Sequence, residues 1–479
     1  MKYVYITLLV SFVITLSSCS KFEELNTDPN KPSEATTSQL LLFAEKKASD
    51  ILYNTVTNNR VGMHYAQYWA GTDSKQDSRY SSSDGGSTTL WSLYSVVLPA
   101  LKEIELLNEK SANNSAAANQ NAIAGVLQVW VYHILTDAFG NIPYSEAISE
   151  QPLPAYDDAS MVYKDLLTKL EGYQSQLNTS GTSFASGDVI YKGDVSKWKK
   201  FANSLMLRIA MRMSNVDEAT AKPYIEKAIQ GGVIETNADN AFFPYTNNAT
   251  EAFPYNNLDR DPVQFVVTAT LLDYMTATND PRLPMFARTV NGVYKGAPYA
   301  AGDNNASDAQ IYSLPSQRVY QPNFPGIIFT ASEALFLKAE AAARNMAAGG
   351  TAATFYNNGI RQSMEFWGAS ADSATAYIAR VPYSAATWKN NVGTQKWLAF
   401  YMQGIQSWFE RVRLNFNKPD GTPLFIAPVA GSLDPTVSMV PSRITYPTTE
   451  NNTNRANKNA AAQAIGGDTK GTKLWWQKF

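Results

Sequence analysis

Cysteine, histidine and charge are scarce in this chain, and each shortage excludes a class of function. Among 479 residues there are one cysteine and two histidines. A single thiol cannot form an intrachain disulfide or a CxxC redox site, and two histidines without thiols disfavour a zinc site. The net charge is −2 and charged residues make up 17% of the chain, so no basic surface for nucleic acid is predicted.

Long hydrophobic runs and catalytic motifs are also missing. No run approaches 18 uninterrupted apolar residues, so the sequence predicts no membrane-spanning helix. Neither GxSxG nor GxGxxG occurs, and the glycines of 466–473 are followed by Thr472 and Lys473 in the reverse of the phosphate-loop order. The residues therefore predict no catalytic site, no metal site and no cofactor.

The only cysteine stands in an informative place near the N-terminus. Lys2 precedes an apolar run over 4–16, and two serines then lead to Cys19. A charged start, a short apolar run and small residues are typical of a secretory signal. The sequence LSSC resembles a bacterial lipobox, which implies a signal peptide over 1–18, a lipid on Cys19 and a tether over 19–37.

Apolar residues at helical spacing cover much of the remaining chain. In 120–138 such residues recur every three or four positions, and 198–213 and 397–412 behave likewise. We therefore expect a mostly α protein with few short strands, in which a helical scaffold covers about 38–240 and 327–416. Four tryptophans on these helices are predicted to lie in the core, namely Trp130, Trp198, Trp397 and Trp408.

Two segments interrupt the helical pattern. Prolines are concentrated in 241–326 and 417–479, together with many aromatic residues and asparagines. Since proline disfavours helix interiors, these segments are predicted to be long ordered loops laid on the scaffold.

Aromatic side chains beside amides, carboxylates and guanidinium groups form the candidate ligand-binding residues. Sugar rings lie flat on aromatic faces while their hydroxyls need polar partners in the plane of the ring. Two stretches, 65–86 and 290–325, combine these groups, and we expect them to lie together. The candidates are Tyr65, Trp69, Asp73, Arg79, Tyr80, Tyr294, Tyr299, Tyr320 and Asn323. Each ring could instead serve only to pack its loop against the scaffold. In that case the loops from Asn417 onward are the alternative location for the ligand-binding site.

Six stretches, taken together and in this order, point to one protein family. The stretches are FEELNTDPNKP (22–32), YHILTDAFGNIPYSEA (132–147), WKKFANSLMLRIAMRMS (198–214), SEALFLKAEAAAR (332–344), QGIQSWFERVRLNF (403–416) and PSRITYPTTENNTNRAN (441–457). They resemble the SusD/RagB-type nutrient-binding outer-membrane lipoproteins of the Bacteroidetes. The resemblance implies a single domain over 38–479 on a TPR-like helix scaffold. It also implies a lipid-anchored protein on the outside of the outer membrane that passes glycans to a SusC-like TonB-dependent barrel.

The leading hypothesis is therefore a non-enzymatic receptor for oligosaccharides. The same architecture could bind peptides instead. From other classes, a lipoprotein glycosidase that uses two carboxylates and a structural lipoprotein without a small ligand remain open.

Overall fold

The computed structural model describes residues 35–72, 75–81, 84–111, 113–149, 151–256, 258, 263–302 and 308–479. The predicted signal peptide, Cys19 and most of the tether lie outside the described residues, as does Asp73.

Helices dominate the described part of the chain, as predicted. The first scaffold segment contains α1 Thr37–Leu52, α2 Lys75–Ser78, α3 Asp84–Ser92, α4 Leu98–Lys110, α5 Ala117–Phe139, α6 Ala159–Gln176, α7 Val195–Met213 and α8 Glu218–Gln230. The loop-rich segment that follows contains α9 Ala269–Ala277, α10 Leu283–Phe286 and α11 Asp308–Ile311. The second scaffold segment contains α12 Ala331–Ala343, α13 Ala352–Trp367, α14 Ala371–Arg380, α15 Trp388–Ala399 and α16 Gly404–Leu414. The C-terminal segment adds α17 Glu450–Thr453 and α18 Arg455–Ala464.

Less regular helical turns connect some of these elements. They are the π-helices Thr55–Met63 and Leu93–Val97 and the 3₁₀ turns Asn237–Asp239, Gln317–Tyr320 and Ala385–Thr387.

Side-chain caps explain where many of the helices begin. A threonine, serine or aspartate before the first turn accepts a hydrogen bond from a backbone N–H that has no partner within the helix. These caps are Thr36, Asp158, Asp194, Asp217, Thr268, Thr330, Thr351 and Ser370. At the start of α12, Thr330 and Glu333 have the spacing of a capping box, and Thr330 accepts from the N–H of Glu333, but the Glu333 carboxylate pairs with Arg208.

The central helix of the scaffold is α5. It is long and apolar enough to cross a membrane, but 94% of its most apolar 18-residue window is buried inside the protein. Helices on several sides cover it, and α4 and α6 are its closest neighbours. A helix that is apolar on every face is therefore explained by its place in the core.

One predicted helix is broken in two. The apolar spacing continues through 397–412, yet α15 ends at Ala399 and α16 begins at Gly404, with Met402 at a φ of 76°. The turn brings Gly404 against the π-helix Thr55–Met63, where a Cβ on Gly404 would lie 2.4 Å from the Met63 nitrogen. On the facing backbone, a Cβ on Gly62 would lie 2.5 Å from the Ile405 nitrogen. Only glycine permits this backbone contact.

Three two-stranded antiparallel sheets tie the segments together. They pair β1 Trp69–Gly71 with β5 Phe265–Val267, β2 Ile142–Pro143 with β3 Tyr156–Asp157, and β4 Ala241–Phe243 with β6 Gly326–Phe329. The last pair joins the start of the loop-rich segment to its end, so 241–326 leaves and rejoins the scaffold at one place.

The buried apolar side chains form two main clusters. The scaffold cluster is built on α4 to α7 and α12 to α16, and it includes Trp130, Trp198 and Trp408. The loop cluster lies beneath the loop-rich segment, and more than half of its buried members are aromatic. Trp397 belongs to the loop cluster, so all four predicted core tryptophans are buried.

A buried ionic network crosses the scaffold helices. Arg413 on α16 binds Glu340 on α12 at 2.5 Å and Glu410 at 2.8 Å, and Glu410 also binds Lys396 at 2.8 Å. Arg212 on α7 joins the network through Glu410 at 2.5 Å. Burial raises the pKa of Glu410, but Arg413, Lys396 and Arg212 outweigh burial and hold that pKa well below its usual value. These carboxylates are therefore ionised in the folded protein.

Candidate functional site

The structure brings the two predicted stretches together, although more than 200 residues separate them. Lys75 and Asp308 form an ion pair at 2.6 Å, and the hydroxyl of Tyr299 donates to that of Tyr80 at 3.4 Å. The rings of Trp69 and Tyr320 lie 6.5 Å apart, between their centroids. The two stretches thus share one region of the fold.

Most of the predicted rings, however, are buried in that region. Each of the following has at most 4% of its surface exposed: Tyr65, Trp69, Tyr80, Tyr299 and Tyr320. The indole N–H of Trp69 donates to the hydroxyl of Tyr401 at 2.9 Å, and the hydroxyl of Tyr80 donates to the Met439 carbonyl at 2.6 Å. No face of these rings is open to a ligand, which corrects the expectation that they contact it directly.

Arg79 also has a structural position. Its guanidinium donates to the carbonyls of Gly431 and Ala430, both at 2.9 Å, and its own carbonyl accepts from the Leu433 N–H at 2.7 Å. Arg79 therefore holds residues 430–433 of the C-terminal segment against the first predicted stretch by hydrogen bonds.

The other predicted contacts differ in exposure. Tyr294 is half-buried and Asn323 is exposed, so both can be reached from solvent. Their role in ligand binding stays a prediction, as does that of Asp73.

The two histidines lie in the interior. Burial lowers the pKa of His64 to about 3, with a smaller contribution from Arg60, so its imidazole is neutral. His133 is also fully buried on α5. Within the part of the chain that the structure describes, no three His, Cys, Asp or Glu side chains lie close enough together to hold a metal ion.

A large open groove lies beside the loop-rich segment, and we call it the C-terminal groove. It is bounded by α9, by residues 380–391 and by the turn 418–426, and its volume is about 760 Å³. That volume is within the range of small-ligand sites. The chain from Asn417 onward thus supplies one wall.

Hydrogen bonds hold the other walls in place. Arg380 at the end of α14 donates to the carbonyls of Thr278 at 3.1 Å and Asn279 at 2.9 Å, just beyond α9. The buried amide of Asn391 accepts from the Thr387 hydroxyl at 2.8 Å. The groove is consequently formed before any ligand binds, which lowers the entropy cost of binding.

Gln67 connects the first predicted stretch to this groove. Its amide nitrogen donates to the Ile426 carbonyl at 2.6 Å, and its amide oxygen accepts from the Thr270 hydroxyl at 3.1 Å. Gln67 thereby fixes two walls of the groove at once. Its backbone φ of 57° lies in the left-handed region, which non-glycine residues rarely adopt.

The side chains of the groove offer both apolar and polar surface. Tyr274 and Leu424 are buried beneath it, while charged groups stand around its rim. The rim carries Asp273, Arg380, Lys418 and Asp420. A molecule with flat apolar faces and hydroxyls around its edge, such as a pyranose, fits this arrangement. Sequence reasoning missed these residues because they are spread over three separate segments and share no local pattern.

Comparisons with known proteins identify the family. The family model described as "Starch-binding associating with outer membrane", SusD-like, matches residues 29–447. No curated protein matches the chain at a significant level.

Solved structures match the fold over nearly its whole length. A structure titled as a chitin-binding protein is 29% identical, with a TM-score of 0.81 over 93% of this chain and 100% of its own. A SusD homologue from Bacteroides uniformis is 27% identical, with a TM-score of 0.81 over 92% of this chain and 99% of its own. A SusD homologue from Bacteroides thetaiotaomicron is 26% identical, with a TM-score of 0.78 over 93% of this chain and 100% of its own.

The similarity covers both scaffold segments and both loop-rich segments. SusD-like structures have a TPR-like helical fold, so that part of the expected architecture is confirmed. SusD-like proteins are associated with the outer-membrane surface in Bacteroidetes. With a family model that matches most of its length, this chain belongs to the SusD-like family.

Proposed function

We propose that this protein is a non-enzymatic surface receptor that captures oligosaccharides and delivers them to a SusC-like TonB-dependent outer-membrane transporter. The observation that carries the proposal is the match of 29% identity, over 93% of the chain, to a protein titled as chitin-binding. The starch-binding description of the family model points to the same chemical class of ligand.

The C-terminal groove is the proposed main binding site. Its rim charges can exchange hydrogen bonds with sugar hydroxyls, while the apolar floor can take the CH faces of the ring. Tyr294, Asn323 and Asp73 stay proposed contacts from the predicted stretches. We expect an affinity on the order of micromolar to millimolar, or about 4–8 kcal/mol, which allows the cargo to be released into a transporter.

Binding should be measured by calorimetry with soluble oligomers of N-acetylglucosamine and of glucose. Replacement of both Asp273 and Lys418 by alanine should weaken binding at least about tenfold, because both charges stand on the groove rim. The matched control is the double change Asp372→Ala and Lys473→Ala, since both of those residues are exposed and neither lines the groove. Equal affinities for the two double variants would reject this groove as the site.

Catalysis is tested with the glycan that binds. Prolonged incubation should release no new reducing ends. Release that disappears on replacing a single Asp or Glu would establish the glycosidase hypothesis instead.

The lipid anchor and the transporter partner need separate tests. Cys19→Ala should leave the fold intact but move the protein out of the membrane fraction in cells that lack the barrel, because lipid chains supply the membrane affinity. A tagged native chain should co-purify with a TonB-dependent barrel from detergent-solubilised outer membranes. Recovery without any barrel would contradict the delivery step.

A further inference from the structure

A second groove opens on another part of the surface, and we call it the Trp91 groove. It lies between the end of α3, the start of α4, residues 143–149, residues 152–154 and residues 450–454, and its volume is about 440 Å³. It shares no lining residue with the C-terminal groove.

An aromatic ring forms part of the groove wall and is held in a fixed orientation. Trp91 is half-buried. Its ring packs 4.9 Å from Phe139 in an edge-to-face contact and 6.2 Å from Tyr156 in a stacked one, between centroids. Tyr94 lies 4.8 Å away on the same wall. The exposed part of the indole is therefore presented without any rearrangement.

The polar groups of the groove favour a ligand that donates hydrogen bonds. The hydroxyl of Tyr94 already donates to the Pro143 carbonyl at 2.6 Å, and the hydroxyl of Tyr156 already donates to Glu450 at 2.6 Å. The half-buried Glu450 carboxylate has lone pairs in excess of the bonds it accepts from Tyr156 and Thr453. A proline-rich peptide offers mainly carbonyl acceptors to such a wall, whereas a sugar offers hydroxyl donors.

The backbone at the mouth of the groove is strained. Ile148 has a φ of 56°, and a β-branched residue is a genuine outlier in the left-handed region. The residue is 37% exposed and lines the groove. Backbone strain is often found at functional sites. The strain at Ile148, which holds an apolar side chain at the mouth of an open groove, therefore indicates a functional role for this residue.

We propose that the Trp91 groove is a second carbohydrate site, in which one pyranose unit lies on the indole of Trp91 and its hydroxyls donate hydrogen bonds to the Glu450 carboxylate. The choice of sugar rests on the proposed function, but the site itself is separate from the C-terminal groove. A protein with two sites can hold two parts of a long glycan or two separate glycans. When one long glycan occupies both sites, its apparent affinity is higher than that of either site alone.

The test uses protein in which the ten tryptophans are replaced by 5-fluorotryptophan, so that each ring gives its own ¹⁹F NMR signal. Trp91→Phe assigns the signal of Trp91 by its disappearance. On titration with chitohexaose, and separately with maltoheptaose, the Trp91 signal should shift and then saturate with at least one of them. The signal of Trp475, which is half-buried but lines neither groove, should stay in place and serves as the internal control.

A blocking variant tests whether the shift arises in the groove itself. Ser95 is exposed and lines the groove, so Ser95→Arg fills the space while leaving Trp91 and its aromatic neighbours intact. This variant should abolish the shift of Trp91 while calorimetry still detects binding at the other site. A Trp91 signal that is unmoved while calorimetry shows binding would overturn this inference alone. A shift with a proline-rich peptide but with neither glycan would also overturn it, and absence of any glycan binding would reject the proposed function as well.

Discussion

In the scaffold cluster, buried charges pair across helices, whereas in the loop cluster the buried side chains are mainly aromatic. Helices satisfy their own backbone groups, so polar side chains between them are free to pair with one another. Loops leave many backbone carbonyls without a partner, and each must be satisfied when it is buried.

Tyrosine meets both needs of a buried loop, because its ring fills space and its hydroxyl donates to a carbonyl. At the borders of the loop-rich segment's regular elements, the hydroxyl of Tyr53 donates to the carbonyl of Ile327 in β6 at 3.1 Å, and that of Tyr401 donates to the carbonyl of Phe286, the last residue of α10, at 2.9 Å. Buried ion pairs in the loop cluster are few by comparison, and Arg282 with Asp280 is the clearest example.

The largest effect on stability is expected from a substitution in the buried ionic network of the scaffold. Arg413→Met leaves Glu340 and Glu410 buried with fewer positive partners, so the free energy of unfolding should fall by about 3–5 kcal/mol. Urea unfolding monitored by circular dichroism measures the loss. Arg361→Met is the matched control, because Arg361 is exposed on α13 and should change stability by about 0.5 kcal/mol or less. Equal effects of the two changes would show that the network does not stabilise the scaffold.

The aromatic side is tested with a smaller change. Trp69→Phe keeps a ring in the loop cluster but removes the N–H that donates to Tyr401, so unfolding should become easier by about 1–3 kcal/mol. Differential scanning calorimetry measures the resulting decrease in melting temperature. Glycan affinity should be unchanged as long as the protein is folded, since Trp69 is fully buried. A clear loss of affinity without a loss of stability would restore Trp69 as a direct contact.

Low pH should destabilise the scaffold through the buried His133. Burial, aided by Arg212 and Arg208, holds the pKa of His133 well below its usual value, so the folded protein keeps this imidazole neutral. The unfolded chain takes up a proton below about pH 6.5, and stability contributed by the neutral form is therefore lost as the pH falls.

His133→Leu should remove this part of the pH dependence, which amounts to about 1 kcal/mol between about pH 7 and pH 5.5. Asp137 acts in the opposite direction, because burial raises its pKa to about 6 and the folded state then holds a proton that the unfolded chain has released. Urea midpoints at several pH values for His133→Leu and for the unchanged protein measure the difference. Parallel pH profiles would contradict the role of His133.

The smallest effect on stability is expected from a substitution in an ion pair at the surface. Lys46 and Asp50 on α1 form an ion pair at 2.8 Å, and both side chains are partly exposed to solvent. Lys46→Ala should cost only about 0.3–0.5 kcal/mol, and less in high salt. Thermal melts at two salt concentrations measure it. A cost near that of Arg413→Met would remove the distinction between buried and exposed pairs.

Helices were predictable from the sequence because their apolar spacing is local. The periodic residues of 120–138 lie in α5, and those of 198–213 lie in α7. The break between Ala399 and Gly404 was not predictable, because it depends on a backbone contact with Gly62 some 340 residues earlier in the chain. Local spacing does not carry that information.

The candidate site was harder to predict for a related reason. Closely spaced rings and polar groups are typical both of a sugar-binding surface and of a loop that must bury its own carbonyls. Tyr80 and Trp69 turned out to be buried, and their partners Met439 and Tyr401 lie more than 300 residues away in sequence. Gln67, which holds two walls of the C-terminal groove, has no feature in the sequence that marks it.

The contact between Gly62 and Gly404 also has a consequence for the order of folding. Residues 55–63 reach their native surroundings only when α16 is available, and α16 begins about five-sixths of the way along the chain. Contacts between residues so far apart in sequence slow folding, because a large loop must close before they form. A chain emerging from a ribosome therefore cannot complete the packing of residues 55–63 until α16, more than 300 residues later, has also emerged.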